Sequence, residues 1–210
     1  MLLLDTINVD KNTQIYVKKS VESLEELQQE VSLSNEEVSR LEQIKPETDK
    51  KNFLSVRKIL KMNGYAPGDL TYNEQGKPLL NDGKYISISH SRDMVAVAIS
   101  KNEVGVDIEL KQDRFIQISP KFTPWKPENT SLLKSSIVQK LTMIWTAKEA
   151  AYKAYGKGDI TINQILVKDF FPNDTKTKVK VAPGEGEGSY YRISFMQLED
   201  DFVLACCLPA

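Results

Sequence analysis

Apolar and polar residues alternate in short bursts along much of this chain, and in a few stretches the apolar ones recur at helical spacing. DTINVDKNTQIYVKK (Asp5–Lys19) predicts one or two strands. VESLEELQQEVSLSNEEVSRLEQI then carries the apolar spacing of short helices, and Ser34 with Glu37 three residues later reads as a capping box. Pro46 and its polar neighbours mark a break. Through KKNFLSVRKILKMNG, Phe53, Val56 and Leu60 recur near the helical period, with Gly64 as terminator. YAPGDLTYNEQGKPLLNDG is turn-rich with short extended pieces, and KYISISHS and MVAVAISKNEVGVDIEL then predict strands separated by turns at Ser91 to Asp93 and Lys101 to Glu103. Pro120, Pro124 and Pro127 restrict Lys111 to Ser131 to short helical pieces, and Leu132 to Tyr155 forms the longest helical segment. The chain closes with KVKVAPGEGEGSYYRISFMQLEDDFVLACCL, which predicts a glycine-rich loop and two final strands. That loop lacks the lysine and following helix of a phosphate-binding glycine pattern.

An internal echo organises these elements. FLSVRKILKMNG (Phe53 to Gly64) and WTAKEAAYKAYG (Trp145 to Gly156) are equal in length, begin on an aromatic, carry Lys61 and Lys153, and end on glycine. KYISISHSRDMVAVAIS and YYRISFMQLEDDFVLACCL share a later pattern of strand, polar turn and apolar strand. The expected fold class is therefore α+β, a pseudo-twofold duplication of two helix-plus-antiparallel-sheet subdomains, residues 1–103 and 104–210. A chain of 210 residues suffices for two small subdomains.

Composition narrows the function. With 28 basic and 29 acidic residues the formal charge is -1, too weak a field to argue for nucleic acid. The sequence has no long apolar run for a membrane span, and MLLLDTI is too short, and lacks the basic start, for a signal peptide. Adjacent Cys206 and Cys207 in FVLACCLP read as a buried terminal strand, so a reduced, cytoplasmic setting is expected. His90 is the single histidine, which excludes a multi-histidine metal site within one chain.

The chemistry concentrates in VGVDIEL and the long helix. Strand alternation puts Asp107 and Glu109 on one face and Val106 and Ile108 on the other. Trp145, Glu149 and Lys153 fall at i, i+4 and i+8, close to one helix face. Two accounts fit this spacing. Glu149 and Lys153 form an ordinary solvated pair in the favourable order, contributing roughly 0.2–0.5 kcal/mol, or Glu149 meets Asp107 and Glu109 across a cleft as an oxygen-rich site for Mg2+. Three crowded acids would repel, so the second account requires a positive partner.

GVDIE and WTAKEAAYKAYG, about 35 residues apart and preceded by GKP (Gly76 to Pro78) and ISHS (Ile88 to Ser91), resemble the motifs of the 4'-phosphopantetheinyl transferases. Length and internal echo resemble the larger pseudodimeric branch, of the surfactin-synthetase-activating type. The resemblance implies the fold of that superfamily, an active site in the cleft between the subdomains, and a monomer. It also implies transfer of the phosphopantetheine arm of coenzyme A, the substrate, onto a serine of an apo acyl carrier protein or peptidyl carrier domain, with release of adenosine 3',5'-bisphosphate. By the same resemblance Asp107 and Glu149 ligate Mg2+, with Mn2+ as a substitute, and Glu109 is a direct or water-mediated third ligand. Glu149 is the implied base, with Glu109 as the alternative, and Lys153 reaches the pyrophosphate.

Coenzyme A contacts are implied for His90, Ser89, Ser91 and Lys77, and for Arg57 and Lys61 at the 3'-phosphate, with Lys50 and Lys51 nearby. For the helix residues Arg57 and Lys61 the plain reading is solvated helix charge. Period-two counting puts His90 with Ile86 and Ile88, where a partly buried structural histidine is the plainer reading. Trp145 reads as a packing anchor. The segment after GVDIE departs from the family: Thr123 replaces the serine that follows phenylalanine, and prolines interrupt it. Phe115, Ile118, Phe122 and Trp125 either pack inward or form a docking patch. Carriers of fatty-acid, peptide or polyketide synthesis all fit the motifs. Other classes are a non-catalytic coenzyme A or carrier-binding homologue and another Mg2+-dependent phosphate transferase.

Overall fold

In the computed structural model, which describes residues 4–184, 188–198 and 201–210, the alternating N-terminal segment folds as an antiparallel hairpin of β1 (Leu4–Asp10) and β2 (Thr13–Lys19). Two short helices follow, α1 (Leu24–Glu30) and α2 (Asn35–Gln43), and each opens with a capping box. Ser34 pairs with Glu37 as expected, and Ser23 pairs with Glu26 in the same way. In each box two backbone N–H groups that a helix start leaves unsatisfied find side-chain oxygens. α3 (Glu47–Met62) begins directly after Pro46 and ends at Asn63, followed by Gly64 with φ at 84°. Leu27, Leu41 and Leu54 join the three helices in a small apolar cluster.

The remaining strands of this unit are β3 (Leu70–Tyr72), β4 (Pro78–Leu80), β5 (Tyr85–Ser91) and β6 (Met94–Ser100). They build a fully antiparallel sheet in the order β1-β2-β6-β5-β4-β3. Val56, Ile59 and Leu60 of α3 pack on Val95, Val97 and Ile99 of β6, which is the helical spacing of α3 meeting the strand spacing of β6.

The chain divides into compact units at Met1–Asn102 and Glu103–Ala210. The second contains β7 (Gly105–Leu110), α4 (Arg114–Ile118), α5 (Lys134–Tyr155), β8 (Ile165–Val167), β9 (Lys176–Val181), β10 (Ser189–Gln197) and β11 (Phe202–Pro209). Its sheet is antiparallel in the order β7-β11-β10-β9-β8. α5 is closed by Gly156 in the left-handed region at φ 62°. The fold is thus α+β, with a helix on an antiparallel sheet in each unit. Between β7 and α5 the prolines confine helix to α4 and two single 3-10 turns at 119–121 and 127–129.

Two strands escaped the sequence pattern. β8 has only three residues, and β9 reads KTKVKV, whose lysines mask its two buried valines. The predicted glycine-rich loop includes residues 185–187, and the polar turn before the last strand includes 199–200; these lie outside the described residues, as do residues 1–3 of MLLLDTI. Cys206 and Cys207 are buried in β11. Among the described residues no helix is long and apolar enough to cross a membrane.

Candidate active site

One missing methyl group sets the geometry of the second unit. α5 presents Ala147, Ala150, Ala151 and Ala154, all fully buried, to the sheet. A Cβ on Gly105 would lie 1.8 Å from the Ala150 carbonyl oxygen and 2.7 Å from the Ala154 nitrogen. Only glycine lets β7 run this close to the helix backbone. Strand alternation then places Asp107 and Glu109 on the α5 side with Gly105, while Val106 and Ile108 are buried on the other face. Ala205 is the cross-strand partner of Asp107, and its small side chain is part of the α5-side core.

Asp107 is buried, and its Oδ1 accepts a 2.8 Å hydrogen bond from Lys153 Nζ. The same ammonium donates to the Val106 carbonyl at 3.1 Å. Lys153 thus places one positive charge among the acids. Glu149 stands one turn earlier on α5, half-buried. Burial first, and the charge of Asp107 next, raise its carboxyl above the usual carboxylate range, with Glu109 adding to the shift and Lys153 opposing it. Glu109 is likewise half-buried and meets Arg114 Nη2 at 3.4 Å. Asp107, Glu149, Lys153 and Glu109 therefore feel one another electrostatically, as the motif spacing alone left undecided.

Among the described residues no three acidic, histidine or cysteine side chains are grouped closely enough to hold a metal ion. Mg2+ is usually held by one or two carboxylates completed by water and phosphate, rather than by a protein cage. Asp107 and Glu149 suit that chemistry: they are hard oxygen donors, and one ammonium leaves negative charge in excess.

Neighbouring residues fix α5. Lys148 is buried, and its ammonium donates to the carbonyls of Ile162 at 2.9 Å and Ile165 at 2.6 Å, tying the helix to the start of β8. Burial pushes this lysine down to about 8. Its place within WTAKEA gave no sign of that role, because the accepting carbonyls lie in a later turn. Trp145 packs against Phe115 and Phe122, with ring centroids at 6.4 and 5.1 Å. Phe115 and Phe122 are core residues, so they are removed from any docking patch. Ile118 is half-buried against the same core, and half-buried Trp125, with Lys140 Nζ 4.7 Å above its ring, lines a groove of about 690 Å³ with Ile144, Lys148 and Leu166.

In the first unit the expected phosphate contacts separate into two groups. His90 is exposed at the end of β5, although Ile86 on its face is buried, so it is not a buried structural histidine. Ser89 is buried, Ser91 is half-buried, and Lys77 is half-buried on a turn where Asn73 Oδ1 accepts from the Lys77 N–H at 2.8 Å. Arg57 is not the solvated helix charge of the plain reading. It is 5% exposed, its Nε bonds Glu37 Oε1 at 3.2 Å, and its guanidinium stacks 3.5 Å from the Phe53 ring centroid. A cation this enclosed holds α2 to α3. Lys61 is exposed, with Nζ on the Glu30 carbonyl at 2.8 Å, and Lys50 and Lys51 lie half-buried near the start of α3.

Sequence reasoning missed Asn52. It is buried on α3, and its Nδ2 donates to the carbonyl of Arg92 at 2.9 Å. Arg92 has φ at 57°, so the β5–β6 turn after His90 is held in an uncommon conformation by a side chain from the helix. Asn52→Ala is expected to cost about 1–3 kcal/mol and to speed amide hydrogen exchange at 90–95; unchanged exchange there would show that the turn holds itself.

A buried acid–lysine pair and a second carboxylate with raised proton affinity, set on one strand and one long helix, make this cluster the candidate site of the chain. The sequence profile of the 4'-phosphopantetheinyl transferase superfamily matches residues 103–207, the whole span from β7 into β11. A Synechocystis sp. protein bearing the name of a 4'-phosphopantetheinyl transferase is 30% identical over 188 residues, covering 80% of this chain and 74% of that one. The 4'-phosphopantetheinyl transferase of Aneurinibacillus migulanus is 36% identical over 113 residues, 51% of this chain and 45% of its own. Enterobactin synthase component D of Salmonella typhimurium is 30% identical over 87 residues, 39% and 36% of the two chains. The chain belongs to the 4'-phosphopantetheinyl transferase superfamily, whose reaction joins coenzyme A chemistry to carrier proteins.

Proposed function

We propose that this protein transfers the 4'-phosphopantetheine arm of coenzyme A to a serine hydroxyl of an apo acyl or peptidyl carrier protein, in a Mg2+-dependent reaction that releases adenosine 3',5'-bisphosphate. The observation that carries this reading is the Lys153–Asp107 contact of 2.8 Å beside Glu149, whose proton affinity is raised. Two helix-plus-sheet units in one chain support the larger pseudodimeric branch and action as a monomer. Similarity to the 4'-phosphopantetheinyl transferase of Aneurinibacillus migulanus supports transfer of the same group.

In the proposed step the serine oxygen bonds to the β-phosphorus of coenzyme A, and the bond from that phosphorus to the oxygen of the departing adenosine 3',5'-bisphosphate breaks. Glu149 takes the serine proton, directly or through water, with Glu109 as the alternative base. Mg2+, held by Asp107 and Glu149 with Glu109 nearby, would neutralise pyrophosphate charge. Lys153 holds Asp107 in place and keeps an ammonium beside the developing negative charge. His90, Ser89 and Lys77 bind the anionic groups of coenzyme A, with Lys61 as a further cation.

Asp107→Asn tests the metal role because the amide oxygen can still accept from Lys153 while the charge is lost. The Mg2+ concentration giving half the maximal rate is expected to rise by about 10- to 100-fold or more, with the melting temperature little changed. An unaltered Mg2+ dependence in folded protein would remove Asp107 from metal binding.

A further inference from the structure

The sheet of the second unit has two different faces. Val179, Val181, Tyr191, Ile193 and Phe195 of β9 and β10 belong to the core under α5. Their alternates point the other way and form a regular array. Across β9 and β10, Lys180 stands opposite Tyr190, Lys178 opposite Arg192, and Lys176 opposite Ser194. β8 adds Leu166 opposite Lys180, and the Lys168 N–H extends the ladder to the Lys178 carbonyl at 2.8 Å. Lys168, Lys176, Lys178 and Arg192 are exposed, as are Leu166 at 54% and Tyr190 at 59%. By strand alternation β8, β9 and β10 put no acid on this face. Among the described residues five acids of this unit pair with other cations: Asp201 with Lys111, Glu109 with Arg114, Asp113 with Lys134, Asp169 with Lys140 and Asp107 with Lys153.

Lysines often guard an exposed sheet edge against aggregation. That account fits Lys168, at the end of β8, but not Arg192, because β10 lies between β9 and β11. Like charges directly opposite weaken a sheet, so the Lys178–Arg192 pair is a local cost, and among the described residues no acid forms an ion pair with either. We propose that this face docks an acidic protein surface: an amphipathic helix whose carboxylates meet Lys176, Lys178 and Arg192 and whose apolar side chains rest on Leu166 and Tyr190. The spacings agree. Cations here are separated by about 4.7–4.9 Å between strands and about 6.6–6.8 Å along one strand, and carboxylates three or four residues apart on a helix by about 5–6 Å.

A helix is favoured over a bilayer because Leu166 is shorter than the lysines around it and forms a floor rather than a protruding anchor. It is favoured over a nucleic-acid strand because the single aromatic of the array, Tyr190, already lies under Lys180, 5.6 Å from its ring centroid. The site is separate from Asp107 and Glu149, which belong to the α5 side of the same unit.

The test uses the full chain and a fluorescein-labelled helical peptide with glutamates at i and i+4 and leucines on the flanking face, followed by anisotropy at low and high salt. Binding that weakens with salt, and that falls about tenfold or more in Lys178→Glu/Arg192→Glu, supports the proposal. Lys11→Glu/Lys101→Glu, which changes net charge equally, should bind as the wild type does. Lys178→Gln/Arg192→Gln provides a second reading: it should lose binding while its melting temperature rises, because the like-charge pair is gone. Absent binding, equal binding by all variants, or tighter binding to phosphatidylglycerol vesicles or to oligothymidylate would overturn it.

Discussion

Glu149→Gln is expected to lower transfer by about 10²- to 10⁴-fold, the range for losing a positioned proton acceptor, and at the same time to raise the melting temperature at neutral pH. The two effects share one cause. Burial and the charge of Asp107 raise the Glu149 carboxyl in the folded protein, so between the ordinary carboxylate range and the raised value the folded state binds more protons than the unfolded state. Stability due to this group is therefore present at low pH and lost as pH rises through that window. Above it, the ionised carboxylate opposes folding in full, and the neutral amide removes that cost. Melting curves of both proteins should converge near the pH at which a free glutamate is protonated. A variant that is inactive and also less stable at neutral pH would assign Glu149 to the framework instead.

Gly105→Ala should be the most damaging single-methyl change in the second unit. The added carbon would sit 1.8 Å from a carbonyl oxygen of α5, and that oxygen belongs to a helix backbone that cannot rotate aside. Either β7 or α5 must move, at an expected cost of about 3 kcal/mol or more, which corresponds to a fall of roughly 6–12 °C in melting temperature for a chain of this size. Separation of β7 from α5 also pulls Asp107 from Lys153, so transfer by the folded fraction should fall as well. Normal stability and rate would mean that the two elements are not held at this distance in solution.

Much of this arrangement was legible in the sequence, and the parts that were not have physical reasons. Alternation in VGVDIEL gave the acid face of β7 because both neighbours of Asp107 are apolar. Gly64 and Gly156 marked helix ends because left-handed backbone needs glycine. The contact between Lys153 and Asp107 spans 46 residues, and the Arg57–Glu37 pair spans 20; periodicity carries no information on which distant element a charged face will meet. Gly105 reads locally as an ordinary strand residue, and its importance exists only once α5 lies against it. β9 was obscured by its own lysines, whose exposed face breaks the apolar signal. His90 shows the converse limit, since period-two counting assigns a face but not where the core ends along it.

The central claim is most directly tested by incubating the purified protein with coenzyme A, Mg2+ and a set of apo acyl and peptidyl carrier proteins and measuring the intact mass of each carrier. The expected result is addition of one phosphopantetheine arm, on the carrier serine, in a Mg2+-dependent manner and far more slowly with Glu149→Gln. Folded protein that binds coenzyme A yet leaves every carrier at its original mass would contradict the transfer reaction.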